Sequence, residues 1–194
     1  MTQQPYAWGE DTALLVEVVR SLMPVSLAVE VGCGRGYVAE ELCGKADGVI
    51  GLDVQWEALQ SSKERLRPHM AAVDLIQGDG LACLRPSRTI SLVVSNPPYL
   101  PNDEGMFDPA IHGGPAGYET ALKILEESVE LMGGGLNAVI ILSSLSNPSR
   151  LIEWAGQKRI QVSTVGRRRL FFEELVCLAF RMPAGQPQGP LGTT

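Results

Sequence analysis

The chain has 194 residues, 45% apolar and 20% charged, with a formal net charge of −6. Such a composition fits one globular domain, and no apolar stretch is long enough to cross a bilayer. The acidic total weighs against a protein that grips nucleic acid unaided, because phosphate neutralisation supplies most of that affinity. The opening "MTQQPYAWGEDT" lacks the basic and apolar segments of a secretory signal, so a cytoplasmic protein is the expectation.

Helical spacing begins at once. "GEDTALLVEVVRSLM" (9–23) is amphipathic, with Asp11 or Thr12 as its N-cap. Apolar, β-branched runs then recur at 27–31, 49–54, 73–77, 90–95 and 136–142, each followed by a turn or helix-like segment, which is the alternation of a parallel sheet. A second amphipathic helix is read in "GYETALKILEESVELMGGG" before its glycines stop it. "RIQVSTVGRRRLFFEELVCLAFRM" offers two strand-like runs with no room for a crossover helix, so an antiparallel hairpin is expected there. "NDEGMFDP" (102–109) discourages regular structure and reads either as a lip over a substrate cleft or as a plain surface loop. The domain is thus placed at 1–182, followed by a Pro- and Gly-rich tail at 183–194 that is expected to be disordered.

Cys33, Cys43, Cys83 and Cys177 are scattered, with no Cys-x-x-Cys pair and no histidine partner nearby, so they read as reduced and mostly buried thiols rather than a zinc or redox site. His69 and His112 receive no role. Arg167, Arg168 and Arg169, with Lys158 and Arg159 nearby, read as a solvated hairpin face or as a docking rim for a macromolecule.

The chemistry gathers where strands end. "VEVGCGRGYVAEEL" follows the first strand and opens a helix, so Gly32, Gly34 and Gly36 read either as a plain strand-to-helix turn or as a loop that permits a close backbone approach to a ligand. Their spacing is not that of a dinucleotide loop, and Glu30, two residues before, suits a cationic group better than a pyrophosphate. Asp53 ends the second strand, where an acid accepts from ribose hydroxyls, and Asp79 in "QGDGL" follows the third, where it accepts from an adenine amine. Singly, each acid reads equally well as solvated or helix-capping. A ligand with a cationic amino-acid end, a ribose and an adenine fits all three.

The fourth strand ends in Asn96-Pro97-Pro98-Tyr99. Prolines fix φ and remove donors, so this segment reads either as a plain strand-ending turn or as one that holds an amide oxygen and a backbone carbonyl in one geometry, a clamp for an NH2 group. Asn96 Oδ1 and the Pro97 carbonyl would each accept one hydrogen and aim the nitrogen, while Tyr99 stacks on a planar acceptor and excludes water.

The series "EVGCGRG", "LDV", "GDG" and "SNPPY" resembles the class I S-adenosylmethionine-dependent methyltransferases, over essentially all of 6–182. "YAWGEDT", "NPPYLPNDE", "HGGPAGYE" and "EELVCLAF" resemble, more narrowly, the HemK-type glutamine methyltransferases of peptide-chain release factors. The short archaeal and eukaryotic branch fits best, because Glu30 arrives too early for the helical N-terminal domain of the bacterial enzymes. The resemblance implies an α/β, Rossmann-like fold with a mostly parallel seven-stranded sheet, an antiparallel C-terminal hairpin and helices on both faces. It implies that Thr12, Glu30, Gly32 and Gly34 surround the methionine end of S-adenosylmethionine, with Asp53 on the ribose, Asp79 and Gly80 on the adenine, and Asn96 between cofactor and acceptor. It also implies Asn96, Pro97, Pro98 and Tyr99 as the catalytic segment, no metal in this chain, the glutamine of a Gly-Gly-Gln loop as acceptor, and a small zinc-containing activator as partner. Trp8 and Gly9 depart from the family's usual residues at the pocket lip. The alternatives left open are N6-methylation of adenine in DNA or RNA, for which the same clamp serves but a basic surface or added recognition domain is missing, methylation of a lysine, and a catalytically silent scaffold.

Overall fold

The structure, a computed structural model, describes residues 8–87, 89–102, 108–132 and 135–183. In chain order these form α1 (Glu10–Ser21), β1 (Val25–Val31), α2 (Tyr37–Leu42), β2 (Ala46–Asp53), α3 (Trp56–Arg65), β3 (Val73–Gln77), β4 (Leu92–Ser95), β5 (Leu100–Pro101), β6 (His112–Gly114), α4 (Glu119–Leu131), β7 (Leu136–Ser143), α5 (Ser149–Gln157), β8 (Gln161–Arg169) and β9 (Glu174–Met182). Short 3₁₀ turns lie at Arg67–His69 and Ser144–Ser146. No described helix is long and apolar enough to cross a membrane.

Seven strands make one sheet in the order β3-β2-β1-β4-β7-β9-β8. The strands from β3 to β7 pair in parallel, while β9 is antiparallel to both β7 and β8. The expected α/β fold with its antiparallel C-terminal hairpin is therefore what forms. Alternate residues feed two cores: Ala138, Ile140 and Leu142 of β7 pack with α4 and α5, whereas Val139 and Ile141 pack with α1 and α2. Burial on both faces is why β7 reads as an unbroken apolar run rather than an alternating one. Between β1 and β4 the strand order reverses direction, and such a switch point at the carboxyl ends of the strands is where open α/β sheets hold ligands.

Several local readings shift. Helix α1 is capped at Gly9, and Asp11 and Thr12 lie buried within its first turn instead of capping it. Helix α5 and the short parallel pair β5–β6 were not anticipated; α5 carries Leu151, Trp154 and Ala155 on its buried face, at helical spacing. Most of "NDEGMFDP" and the tail after Pro183 lie outside the described residues. The thiols are all free; Cys33 and Cys177 are buried and Cys83 is exposed.

The pair β5–β6 explains "HGGPAGYE". Leu100 N donates to Ile111 O (2.8 Å) and Asn102 N to Gly114 O (3.0 Å), so the chain beyond Tyr99 is clasped by β6. Gly113 lies flat against the Pro98 peptide: an added Cβ would meet the carbonyl oxygens of Pro98 and Gly117 and lie 2.9 Å from the Pro98 carbonyl carbon. Backbone on both sides cannot yield as a side chain would. Gly113→Ala should therefore lower the melting temperature and displace the Asn96–Tyr99 segment, seen as altered amide chemical shifts for Asn96, Tyr99, Leu100 and Asn102; unchanged shifts would show that the contact is slack.

Candidate active site

Parallel register sets the site. Glu30 pairs with Gly51 on one side and Val94 on the other, which brings the ends of β1, β2 and β4 level. Beyond them the chain turns sharply: the Gly32 and Cys33 amides both donate to Leu52 O (2.8 Å each), folding the loop back over β2. Gly36 starts α2 at φ +76°, and its missing Cβ leaves room for Ser62 Oγ of α3, 3.0 Å from where that atom would sit. Ser62 Oγ in turn donates to Gly34 O (2.9 Å), and Arg65 Nε donates to Arg35 O (3.0 Å) while its guanidinium stacks on Tyr37 at 3.8 Å. The glycine loop is thus held from behind by α3.

Over these strand ends opens a cavity of about 360 Å³. Its walls include Thr12, Glu30, Gly32, Gly34, Asp53, Asn96, Pro97, Pro98 and Tyr99, all expected at the site. Asp79 and Gly80 are not among them. Asp79 stands 79% exposed and pairs with Lys123 Nζ at 3.0 Å, while the Glu127 carboxylate that packs under Gly80 accepts from Leu81 N at 2.6 Å.

Two carboxylates line the cavity very differently. Asp53 Oδ2 accepts from Gly34 N (2.8 Å) and Oδ1 from Gln55 N (2.9 Å), so the group is rigid yet keeps a further lone pair on each oxygen. Desolvation pushes its pKa up, against the pull of the Gln55, Gly34 and Val54 amides. Glu30 is only 2% exposed, and its Oε2 is shut from solvent with no hydrogen-bond partner among the described residues. Burial holds its pKa well above the ordinary 4.5; the Ala39 amide opposes this and nearby Asp53 adds to it. A buried carboxyl oxygen without a donor is costly, and a donor or cation entering the cavity would relieve it.

The decisive residue was not anticipated. Asp11 is 3% exposed, and its Oδ2 receives both Asn96 Nδ2 (3.1 Å) and the Tyr99 hydroxyl (3.0 Å), while Oδ1 receives Thr12 N at 2.6 Å. A carboxylate only accepts, so the Asn96 amide turns its nitrogen toward Asp11, and Oδ1 is left as the acceptor that Asn96 can offer a ligand. Its signal in the sequence was phase: Asp11 falls on the same helical face as Leu14, Leu15 and Val18, where a merely capping acid would not.

Residues 9–153 match the methyltransferase small domain model. The chain belongs to the methyltransferase small domain family. Within that family's reach it is 28% identical to release factor glutamine methyltransferases from Koribacter versatilis (166 residues, 76% of this chain) and Rhodopirellula baltica (136 residues, 63% of this chain). It spans 59% and 46% of those proteins' lengths. In fold it is similar to the E. cuniculi Mtq2-Trm112 complex, which methylates the translation termination factor eRF1, with a TM-score of 0.77 at 20% identity over 93% of this chain and 100% of that one.

The buried acid carries a pH signature. Because the folded chain holds the Glu30 proton more tightly than the unfolded chain does, this group's contribution to stability is full below 4.5 and is lost as pH rises through the raised folded value. Glu30→Gln cannot ionise there. The melting temperature of the variant should accordingly climb relative to the parent as pH increases from about 4.5 upward, measured calorimetrically in the absence of ligand. A difference that stays constant with pH would mean that Glu30 ionises normally.

Proposed function

We propose that this chain uses S-adenosylmethionine to methylate the side-chain nitrogen of the glutamine in the Gly-Gly-Gln loop of a class-1 peptide-chain release factor. The observation that carries the reading is the Asp11–Asn96 bond, which orients the amide so that Asn96 Oδ1 is left as an acceptor suited to an NH2 group. The relatives and the eRF1-directed complex named above support the choice of a glutamine over other amines.

The cavity suits the cofactor. Glu30, with its orphan oxygen, would receive the ammonium of the amino-acid end beside Gly32 and Gly34, and Thr12 would border it. Asp53 would take the ribose hydroxyls with the lone pairs its backbone donors leave. Val54 and Ala58 continue that wall as apolar surface for an adenine; Asp79 would reach the adenine amine by leaving Lys123, and an exposed pair of that kind gives way at little cost. When bound, S-adenosylmethionine would supply a sulfonium methyl group for attack by a nitrogen lone pair, the S–CH3 bond breaking as N–CH3 forms, with S-adenosylhomocysteine as leaving group and the nitrogen's surplus proton passing to solvent.

The chain's own part is aiming. An amide nitrogen is a poor nucleophile, so the barrier depends on alignment, which in the best cases contributes roughly 7 to 11 kcal/mol. Asn96 Oδ1 and the Pro97 carbonyl would accept the two NH2 hydrogens and stabilise positive charge as it develops on nitrogen. Tyr99, tied by its hydroxyl to Asp11, presents its ring to the planar amide and keeps water out.

Adenine would fit the same clamp, but the net charge of the chain is −6 and two arginines of its basic cluster are engaged in ion pairs. Arg167 pairs with Glu174 (3.0 Å) and Arg168 with Glu10 (2.8 Å) and Glu17 (2.6 Å), which favours reading these two arginines as part of a structural, solvated face. A duplex base must also be flipped and held through phosphates.

Incubating the chain with cofactor and an intact release factor should add one methyl to the Gly-Gly-Gln glutamine, located by mass spectrometry. Asn96→Ala should keep cofactor affinity and lose turnover by about a hundredfold or more, as removal of an oxyanion-hole donor does. Faster labelling of an adenine-containing duplex or of a lysine-bearing protein would reject the assignment. We further propose a small zinc-containing activator that extends the sheet and covers apolar surface. Co-expression with such a protein should raise soluble yield or turnover, and a lone chain that is fully active and indifferent to it would remove this partner.

A further inference from the structure

Helix α1 packs against the C-terminal hairpin, and the turn of that hairpin reaches the cavity. Leu170 N donates to Glu173 O (2.8 Å) to close the turn, and Glu174 N donates to Ser144 Oγ (3.0 Å) to anchor its outgoing strand. Between these two fixed points the chain places Phe171 and Phe172 in water. They are 93% and 85% exposed, the most exposed large apolar side chains among the described residues, and their rings meet each other edge to face at 4.7 Å. Single surface aromatics are ordinary, but a consecutive pair at the tip of a pinned turn beside a cavity is not explained by packing.

The next residue points to a ligand. Glu173 lines the same cavity as Asn96 and Tyr99, and its Oε2 is shut from solvent with no hydrogen-bond partner among the described residues. The cavity therefore holds two orphan carboxyl oxygens, on Glu30 and on Glu173. Glu30 lies on β1, whereas Glu173 immediately precedes β9, and β4 and β7 stand between those strands in the sheet. Three strand spacings put the two strands about 14 Å apart, with Asn96, just beyond β4, on the interval between them. An orphan on each side of the clamp implies a ligand on each side.

We propose that the turn Phe171-Phe172-Glu173 docks the methyl-accepting polypeptide, with Glu173 receiving an N–H from the segment that carries the acceptor and the two rings covering the apolar flank of that segment. The inference rests on the glutamine reading above and extends it to the acceptor side of the site. A polypeptide supplies both things the turn lacks, an amide N–H at close range and apolar cover for two adjacent rings. A nucleic-acid strand would bring its phosphates toward a carboxylate.

The test measures steady-state kinetics with an intact release factor and with a short Gly-Gly-Gln peptide, and cofactor affinity by titration calorimetry, for the parent, Glu173→Ala, Glu173→Gln and the double variant Phe171→Ala/Phe172→Ala. Glu173→Ala should raise KM for both acceptors by about tenfold or more, as expected for loss of a charged acceptor, and Glu173→Gln, whose carboxamide oxygen still accepts, should recover part of it. The phenylalanine variant should raise KM for the intact factor by a similar factor and for the peptide less, with kcat within about twofold of the parent. Cofactor affinity should be unchanged throughout. If Glu173→Ala instead weakens cofactor binding, or if every variant keeps the parent KM, the docking element is refuted while the glutamine reading stands. If the parent, co-expressed with the activator proposed above, methylates neither acceptor, the glutamine reading falls and the docking element falls with it.

Discussion

One buried carboxylate organises the site. Asp11 sits in the first turn of α1, far in sequence from Asn96 and Tyr99, and joins both through a single oxygen. An asparagine at a strand end otherwise has two nearly isosteric orientations of its amide, one offering an acceptor and the other a donor. Asp11 selects the first by being unable to donate. Its own position depends on α1 being held against the sheet by Leu14, Leu15, Val18 and Val19, which pack in one core with Leu175 and Cys177 of β9, while Arg168 on β8 adds surface ion pairs to Glu10 and Glu17. The orientation of one amide at the centre of the sheet is thus set jointly by an N-terminal helix and a C-terminal hairpin.

The same economy of contacts explains why the site's neighbours are inert. Cys33 sits in the glycine loop beside Glu30, but burial and the adjacent acid push its thiol far up, and its contact is a weak one with Ser62 Oγ at 3.6 Å. Cys177, on β9, is likewise raised by burial, to about 12. Neither thiol is poised as a nucleophile, since reactivity belongs to the thiolate. The reactive potential of the cavity rests instead on acceptors: two carboxyls with unmet demand, an amide oxygen and a carbonyl.

Much of this was legible because sheet burial writes itself into sequence. Strands covered on both faces, as β4 and β7 are, appear as apolar runs, and the glycine loop and the proline pair punctuate their ends. What escaped has physical reasons. Asp11 stood next to a threonine at a helix start, where an acid ordinarily caps, and only its phase with Leu14, Leu15 and Val18 marks it as facing inward. Asp79 follows a strand as Glu30 and Asp53 do, yet it stands outside the cavity lining and pairs with Lys123 on α4, a partner so distant in sequence that it leaves no local trace. Glu173 has no periodicity to reveal it, because turns are defined by backbone geometry rather than by which side chain faces a cavity. Gly113 was visible within a glycine-rich string, but its purpose, room for the Pro98 peptide, exists only once β5 and β6 have met.

Asp11 also bears on the chemistry proposed here beyond orientation. A carboxylate bonded to the NH2 end of an amide draws its electrons toward the oxygen, so Asn96 Oδ1 becomes a stronger acceptor than in an isolated asparagine. That strengthening counts most when the acceptor nitrogen is turning positive, because interactions that grow toward the transition state accelerate the step while equal binding of ground and transition states does not. The polarisation is transmitted through a bond already in place, so no solvent or side chain has to reorganise during transfer. A neutral group at position 11 could pin the same rotamer yet would lack this pull, which is the physical reason for an acid there rather than an amide of nearly identical shape.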